Sequence, residues 1–211
     1  MKIELENVLP GDIERRSFEI IQSELPHPLD PRLAPIIQRV IHTTADFDYA
    51  DSLYFSQNAV PLALAALKAG ATIVTDTNMA KAGIHKPALT QLGIEALCFM
   101  AEEDVAAAAR QNGTTRAAAS MDKAAGLNGP VIFAIGNAPT ALVRLYELMA
   151  EGKVNPALII GVPVGFVNVV QAKELIMRTC VPCIVARGRK GGSNVAAAIV
   201  NALLYLLTRD G

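Results

Sequence analysis

From residue 71 onward, short runs of β-branched and other apolar residues alternate with longer stretches of helical periodicity. No other feature narrows the fold as far. The runs are ATIVT (71–75), EALCFM (95–100), PVIFAI (130–135), ALIIGV (157–162) and PCIVA (182–186). Several are apolar on successive residues, where a strand with one wet face would alternate. Both faces of such strands must be covered, and strands separated by helices pair in parallel. The pattern predicts an α/β three-layer sandwich around a mainly parallel, roughly five-stranded, Rossmann-like sheet. Composition agrees. Apolar residues make up 52% of the chain, but there is no Trp and aromatics are 5%, so Ala, Val, Ile and Leu must build the core.

Three helices carry clear end signals. NAVPLALAALKAG closes on Gly70 as a C-cap. NAPTALVRLYELMAEG offers Asn137 as N-cap, Pro139 in the first turn and Gly152 beyond the end. GGSNVAAAIVNALLYLL is apolar enough to lie buried against the sheet or a partner subunit. Residues 1 to 57 read differently, with an amphipathic ERRSFEIIQSEL, a proline-rich PHPLDPRLAP and then PIIQRVIHTTADFDYADSLYFS. This part holds no convincing strand and is expected to form helices and ordered loops over one edge of the sheet. All 211 residues are expected to make a single domain, since domains cluster around roughly 100 to 200 residues.

Lys plus Arg total 19 and Asp plus Glu 20, with no block of like charge. This argues against a nucleic-acid or anionic-membrane partner. MKIELENVLPGDIERRSF lacks the apolar stretch of a signal peptide, and no apolar run reaches the roughly 18 residues of a membrane span. A soluble, cytoplasmic protein is expected. Cys98, Cys180 and Cys183 are an odd set that describes no disulfide framework. The C-x-x-C of Cys180 and Cys183 leads into a strand, where a redox motif would open a helix. No second ligand pair suggests zinc, and no metal site is expected.

In an open parallel sheet, ligands bind beyond the carboxyl ends of the strands. The loops there are polar and glycine-rich: TDTN (75–78), GNAPT (136–140), GVPVG (161–165) and RGRKGGS (187–193). Two run straight into a helix, whose first N–H groups and dipole favour an anion. RGRKGGS adds three cations, and Arg116 stands near the start of another helix. Neither G-x-G-x-x-G after the first strand nor G-x-x-x-x-G-K-[ST] is present, so a carboxylate ligand is as consistent with these loops as a phosphate. Tight turns with solvated basic residues are the simpler account of any one loop, and four on one edge weaken that account. Among the histidines, His27 lies in an extended link and His85 in a basic context. His42 ends a well-formed helical pattern, with Arg39 three residues earlier on the same side. By spacing alone it is either an acid–base group or a hydrogen-bonded structural histidine.

ERRSF (14–18), RVIHTTADFDYADSLYFS (39–56), ALKAGATIVTDTNMAKAGI (66–84), GTTRAAA (113–119), AIGNAPTALVRLYEL (134–148), GVPVGFVNVVQAKE (161–174) and RGRKGGSNVAAAIVNAL (187–203) closely resemble the precorrin-8X methylmutase family over nearly the whole chain. The order and spacing of GNAPTAL, GVPVGFV and RGRxGGS make the likeness specific. The resemblance implies an isomerase that moves a methyl group from C-11 to C-12 of a contracted tetrapyrrole, precorrin-8X or cobalt-precorrin-8, to give hydrogenobyrinate or cobyrinate. It implies His42 as proton donor or acceptor, Ser17 and Arg39 as substrate contacts, no cofactor, cobalt only as part of the substrate, and a homodimer. HTTADFD looks more like the anaerobic, cobalt-early branch. The positions of Thr77, Arg116, Asn137, Arg187 and Ser193 add them as candidates for binding the acetate and propionate arms. Two other readings share these loops. One is a carrier that holds a tetrapyrrole without chemistry. The other is a Rossmann-like phosphate or nucleotide enzyme using Glu102 or Glu103, for which no glycine fingerprint is present.

Overall fold

A computed structural model describes residues 6–209 of the chain. Its strands are β1 (Leu53–Phe55), β2 (Thr72–Thr75), β3 (Ala96–Leu97), β4 (Val131–Ile135), β5 (Leu158–Gly161) and β6 (Cys183–Ala186). Helices α1 (Ile13–Glu24), α2 (Ala34–Thr44) and α3 (Tyr49–Ser52) precede β1. The others are α4 (Ala59–Lys68), α5 (Asn78–Gly83), α6 (Lys86–Leu92), α7 (Glu103–Gln111), α8 (Arg116–Ala124), α9 (Pro139–Ala150), α10 (Val169–Met177) and α11 (Ser193–Thr208). The strands form one sheet in the order β1-β6-β5-β4-β2-β3. All neighbours from β6 to β3 are parallel.

The consecutive apolar residues of the parallel strands feed two cores. In β4, Ile132 and Ala134 join one buried cluster, while Val131, Phe133 and Ile135 join the other. The period of two sends neighbouring side chains to opposite faces. The first cluster gathers α2, α4, α5, α6 and α11, and the second gathers α7 to α10. A three-layer sandwich results. Within it, α11 is the innermost helix, with Val195 to Val200 all buried, and α2 packs on it through Ile36, Ile37, Val40 and Ile41.

Three sequence expectations need correction. The N-terminal part does contribute a strand: β1 pairs antiparallel with β6, Leu53 opposite Ala186, adding a sixth strand to the roughly five expected. It is an edge strand of three residues, too short to show a periodicity, and it is held by its partner's hydrogen bonds. Secondly, the run at 95–100 pairs only at Ala96–Leu97, because the chain turns away to bury Phe99 in the second core. Thirdly, Asn137 is not the cap of α9. The N-cap is Ala138, without a side-chain bond, and the carboxylate of Asp76, the residue after β2, does the capping.

The chain passes from β2 outward to β3, then returns to lay β4 on the other side of β2. Loops leaving β2 and β4 therefore part in opposite directions and open a crevice at the strand ends, the usual ligand position of such sheets.

Candidate functional site

The crevice between β2 and β4 is filled from within. Asp76, fully buried directly after β2, accepts hydrogen bonds from the backbone N–H groups of Gly136 (2.9 Å), Asn137 (2.8 Å) and Ala138 (2.6 Å). These are the donors that a ligand at the start of α9 would use. Burial pushes the Asp76 carboxyl up from the usual carboxylate range, and the three N–H groups pull against that shift. One of the two expected anion-binding helix starts is thus occupied by the protein's own carboxylate. The Asn137 side chain stays exposed.

The start of α11 differs: Ser193 opens the helix with no side-chain cap. Its hydroxyl lies 2.8 Å from that of Thr77, which also accepts from Ala80 N–H (3.0 Å) as the N-cap of α5. Thr77 and Ser193 therefore meet, as their loop positions suggested. Gly136 makes the meeting possible, since a Cβ there would stand 2.7 Å from Ser193 Cα and 2.8 Å from the Gly192 carbonyl oxygen.

A second group forms around Phe18 on α1. The His42 ring lies 5.3 Å from the Phe18 ring, tilted by 32°. The Arg39 guanidinium is sandwiched between Phe18 (4.7 Å) and Tyr205 of α11 (5.0 Å), and such cation–aromatic contacts strengthen as water is excluded. Arg39 is 16% exposed and pairs with Glu14, which also accepts from Arg209. Burial pushes the Glu14 carboxyl up, but the two arginines outweigh it and hold the group below the usual glutamate range. The Ser17 hydroxyl donates within its helix to the Ile13 carbonyl at 2.8 Å. Ser17, Arg39 and His42 thus share one neighbourhood. Two of them are engaged with the protein's own groups, while His42 is exposed.

α2 ends just beyond His42 because Ala45 adopts a left-handed conformation, φ 52°. The turn carries Asp46 and Asp48 to the loop after β6, where both pair with Lys190, Asp46 at 2.7 Å. Their hydrogen bonds hold the Lys190 ammonium well above the ordinary lysine value. This clasp joins the His42 segment to RGRKGGS. Within that loop Arg187 stacks over Tyr54 at 5.1 Å and Arg189 over Phe166 at 5.5 Å. Gly191, at φ +156°, approaches the Val162 carbonyl so closely that a Cβ would sit 2.1 Å from its oxygen.

Arg116 is exposed at the first position of α8. Its neighbour Thr115 bonds Thr140 at 2.9 Å at the start of α9, so Arg116 stands at the α9 end of the site. It lines a hollow with Glu103, Asp104 and Arg110, on the face opposite α2 and α11. Sequence reasoning missed Phe18 and Tyr205, which position Arg39, and Phe166 and Val167, which are 81% and 77% exposed, Phe166 beneath the Arg189 guanidinium. The apolar pair within the glycine-rich GVPVGFV was the available signal. Among the described residues no three His, Cys, Asp or Glu side chains are grouped to hold a metal ion. No described helix is long and apolar enough to cross a membrane. Cys180 is exposed and Cys183 buried in β6, both as free thiols.

A family model described as precorrin-8X methylmutase matches residues 12–206. The cobalt-precorrin-8 methylmutase of Salmonella typhimurium is 45% identical over 205 residues, covering 94% of this chain and 96% of that protein. That of Priestia megaterium is 43% identical over 200 residues, covering 94% and 89%. The crystal structure of a precorrin-8X methylmutase from Thermus thermophilus matches with a TM-score of 0.85 and 42% identity, over 93% of this chain and 95% of that one. With nearly its full length matched in both sequence and fold, the chain belongs to the precorrin-8X methylmutase family.

Proposed function

We propose that the chain catalyses the methyl migration from C-11 to C-12 of precorrin-8X or cobalt-precorrin-8 in cobalamin biosynthesis, with His42 as the proton-transfer residue. The reaction is an isomerisation, a formal 1,5-sigmatropic shift, so nothing is added or removed overall. Protonating the conjugated ring system changes its electron demand, the methyl group moves between adjacent carbons, and the proton returns to the base that supplied it. No protein-bound cofactor is required, and cobalt, where present, belongs to the substrate.

The observation that carries this reading is the setting of His42. Its ring is exposed and stacked on Phe18, while the turn after it is clasped to the cationic RGRKGGS loop through Lys190. A proton donor is thereby tethered to groups suited to carboxylate arms. Arg187, Arg189 and the uncapped start of α11 at Ser193 supply positive ends there, and Thr77 stands beside them. Phe166 and Val167 offer apolar surface to a macrocycle. Arg116 and Asn137 serve arms reaching toward α8 and α9. Arg39 would take a carboxylate arm in place of Glu14, and Ser17 would donate to substrate in place of Ile13. We also propose that the active protein is a homodimer.

The names of the Salmonella and Priestia relatives favour the cobalt-bearing substrate. Anaerobic incubation with precorrin-8X and cobalt-precorrin-8 side by side tests the reading. The visible spectrum should move toward that of a corrin, faster with the cobalt form. Unchanged spectra with both substrates would refute it.

A further inference from the structure

α10 holds Lys173 in the protein interior with 1% of its surface exposed. Its ammonium donates to the carbonyl oxygens of Gly188 (2.9 Å) and Lys190 (2.8 Å). The carbonyl between them, that of Arg189, accepts from Gly165 N–H at 3.1 Å. Three successive carbonyls of RGRKGGS are therefore committed to partners inside the protein. Carbonyl oxygens are the negative ends of peptide dipoles and would repel a carboxylate brought to this loop. Drawn inward, they leave the exposed side chains of Arg187 and Arg189 to meet it. Gly188, at φ +73°, lets the backbone turn this way.

Burial shifts Lys173, lowering its pKa to about 8, and among the described residues no carboxylate pulls it back. At neutral pH it remains mostly charged. An ammonium buried without an anion is costly, and an apolar side chain of similar volume would fill the place more cheaply. What the lysine adds is the charge and the two donations.

We propose that Lys173 is a positioning residue for carboxylate binding, which orients the backbone of the RGRKGGS loop and sets an unneutralised positive charge beneath it. The inference rests on the reading of the chain as an enzyme of a polycarboxylate tetrapyrrole. Lys173 acts through Arg187, Arg189 and the loop, not by touching substrate. The loop's tie to Asp46 and Asp48 through Lys190 carries this placement on to the turn after His42.

Other ionisable groups border the lysine. Tyr54 of β1, Glu174 of α10 and Arg187 line a hollow of about 410 Å³ with it. Cys183 of β6 is pushed up by burial, and Lys190 is pushed up by its aspartates. Comparison with variants at position 173 isolates the lysine from all of these.

The test titrates hydrogenobyrinate into the wild-type protein and into Lys173→Met, Lys173→Gln and Lys173→Arg, followed by visible absorbance between about pH 7 and about pH 9. It also measures KM and kcat with precorrin-8X. Wild-type affinity should fall on the order of tenfold as pH rises through about 8 and the lysine loses its charge. Lys173→Met should bind about tenfold more weakly at about pH 7 with no pH step, raising KM more than it lowers kcat. Lys173→Arg should keep the affinity and lose the step. A folded Lys173→Met with wild-type affinity and pH profile overturns the proposal. If that variant does not fold, Lys173→Gln or Lys173→Arg decides, since either one retaining the wild-type pH step overturns it as well. A wild-type protein that binds with this profile but leaves both precorrin-8X and cobalt-precorrin-8 unconverted contradicts the methylmutase reading and leaves the role of Lys173 standing.

Discussion

Asp76 shows how one side chain can decide where a ligand does not go. Three backbone N–H groups at the start of α9 converge on it, which welds β2 to β4 and closes the crevice that this topology would otherwise offer to an anion. Replacing it with alanine orphans three backbone donors, one buried and two partly buried. Asp76→Ala should lose on the order of 3 kcal/mol of stability in urea denaturation. A loss within about 0.5 kcal/mol, the range of an ordinary surface substitution, would show that the three bonds are not important. In the proposed function, carboxylate binding accordingly falls to α11 and RGRKGGS. Arg39 is the other instructive residue. Its spacing from His42 was readable, and both do stack on Phe18. Its pairing with Glu14 was not readable, because α1 comes to it across a proline-rich link of undetermined path.

Elements differ in how far their own residues announce them. Strands β4, β5 and β6 were legible because each is a continuous apolar run buried on both faces, a property carried within the strand. β1 was not, since three residues have no period and its existence depends on β6 beside it. Asn137 looked like a cap by local rules, yet the acceptor comes from 61 residues earlier, beyond any local pattern. Lys173 was missed for a similar reason: a lysine in mid-helix normally faces water, and only the fold reveals two loop carbonyls over it. The loops also depend on close backbone approach. Gly136→Ala would force a Cβ against Ser193 and Gly192, parting α11 from the β4 loop. It should cost roughly 1–3 kcal/mol by the usual measure of overpacking and weaken hydrogenobyrinate binding. Wild-type stability and binding together would mean that the Thr77–Ser193 contact tolerates displacement.

Across the molecule, the candidate residues divide between the two helical layers of one sheet. His42, Arg39, Ser17, Thr77 and Ser193 come from the side of α2 and α11, while Arg116 and Asn137 come from the side of α8 and α9. The fold class was readable from the alternation after residue 71. The pairing of chains was not. α11 is buried inside the protomer from Val195 to Val200, against α2 and the sheet, and its last turn reaches the surface, where Leu206 is 41% exposed. Sedimentation equilibrium should return twice the 22.3 kDa chain mass; a monomer at enzyme-assay concentrations would contradict the dimer. The central claim concerns His42, and the most direct test compares wild-type protein with His42→Ala under anaerobic conditions. Hydrogenobyrinate binding and conversion of both tetrapyrrole substrates would be followed in the same samples. The account predicts that the variant binds the product as the wild type does and converts neither substrate, whereas conversion at the wild-type rate would remove His42 from the mechanism.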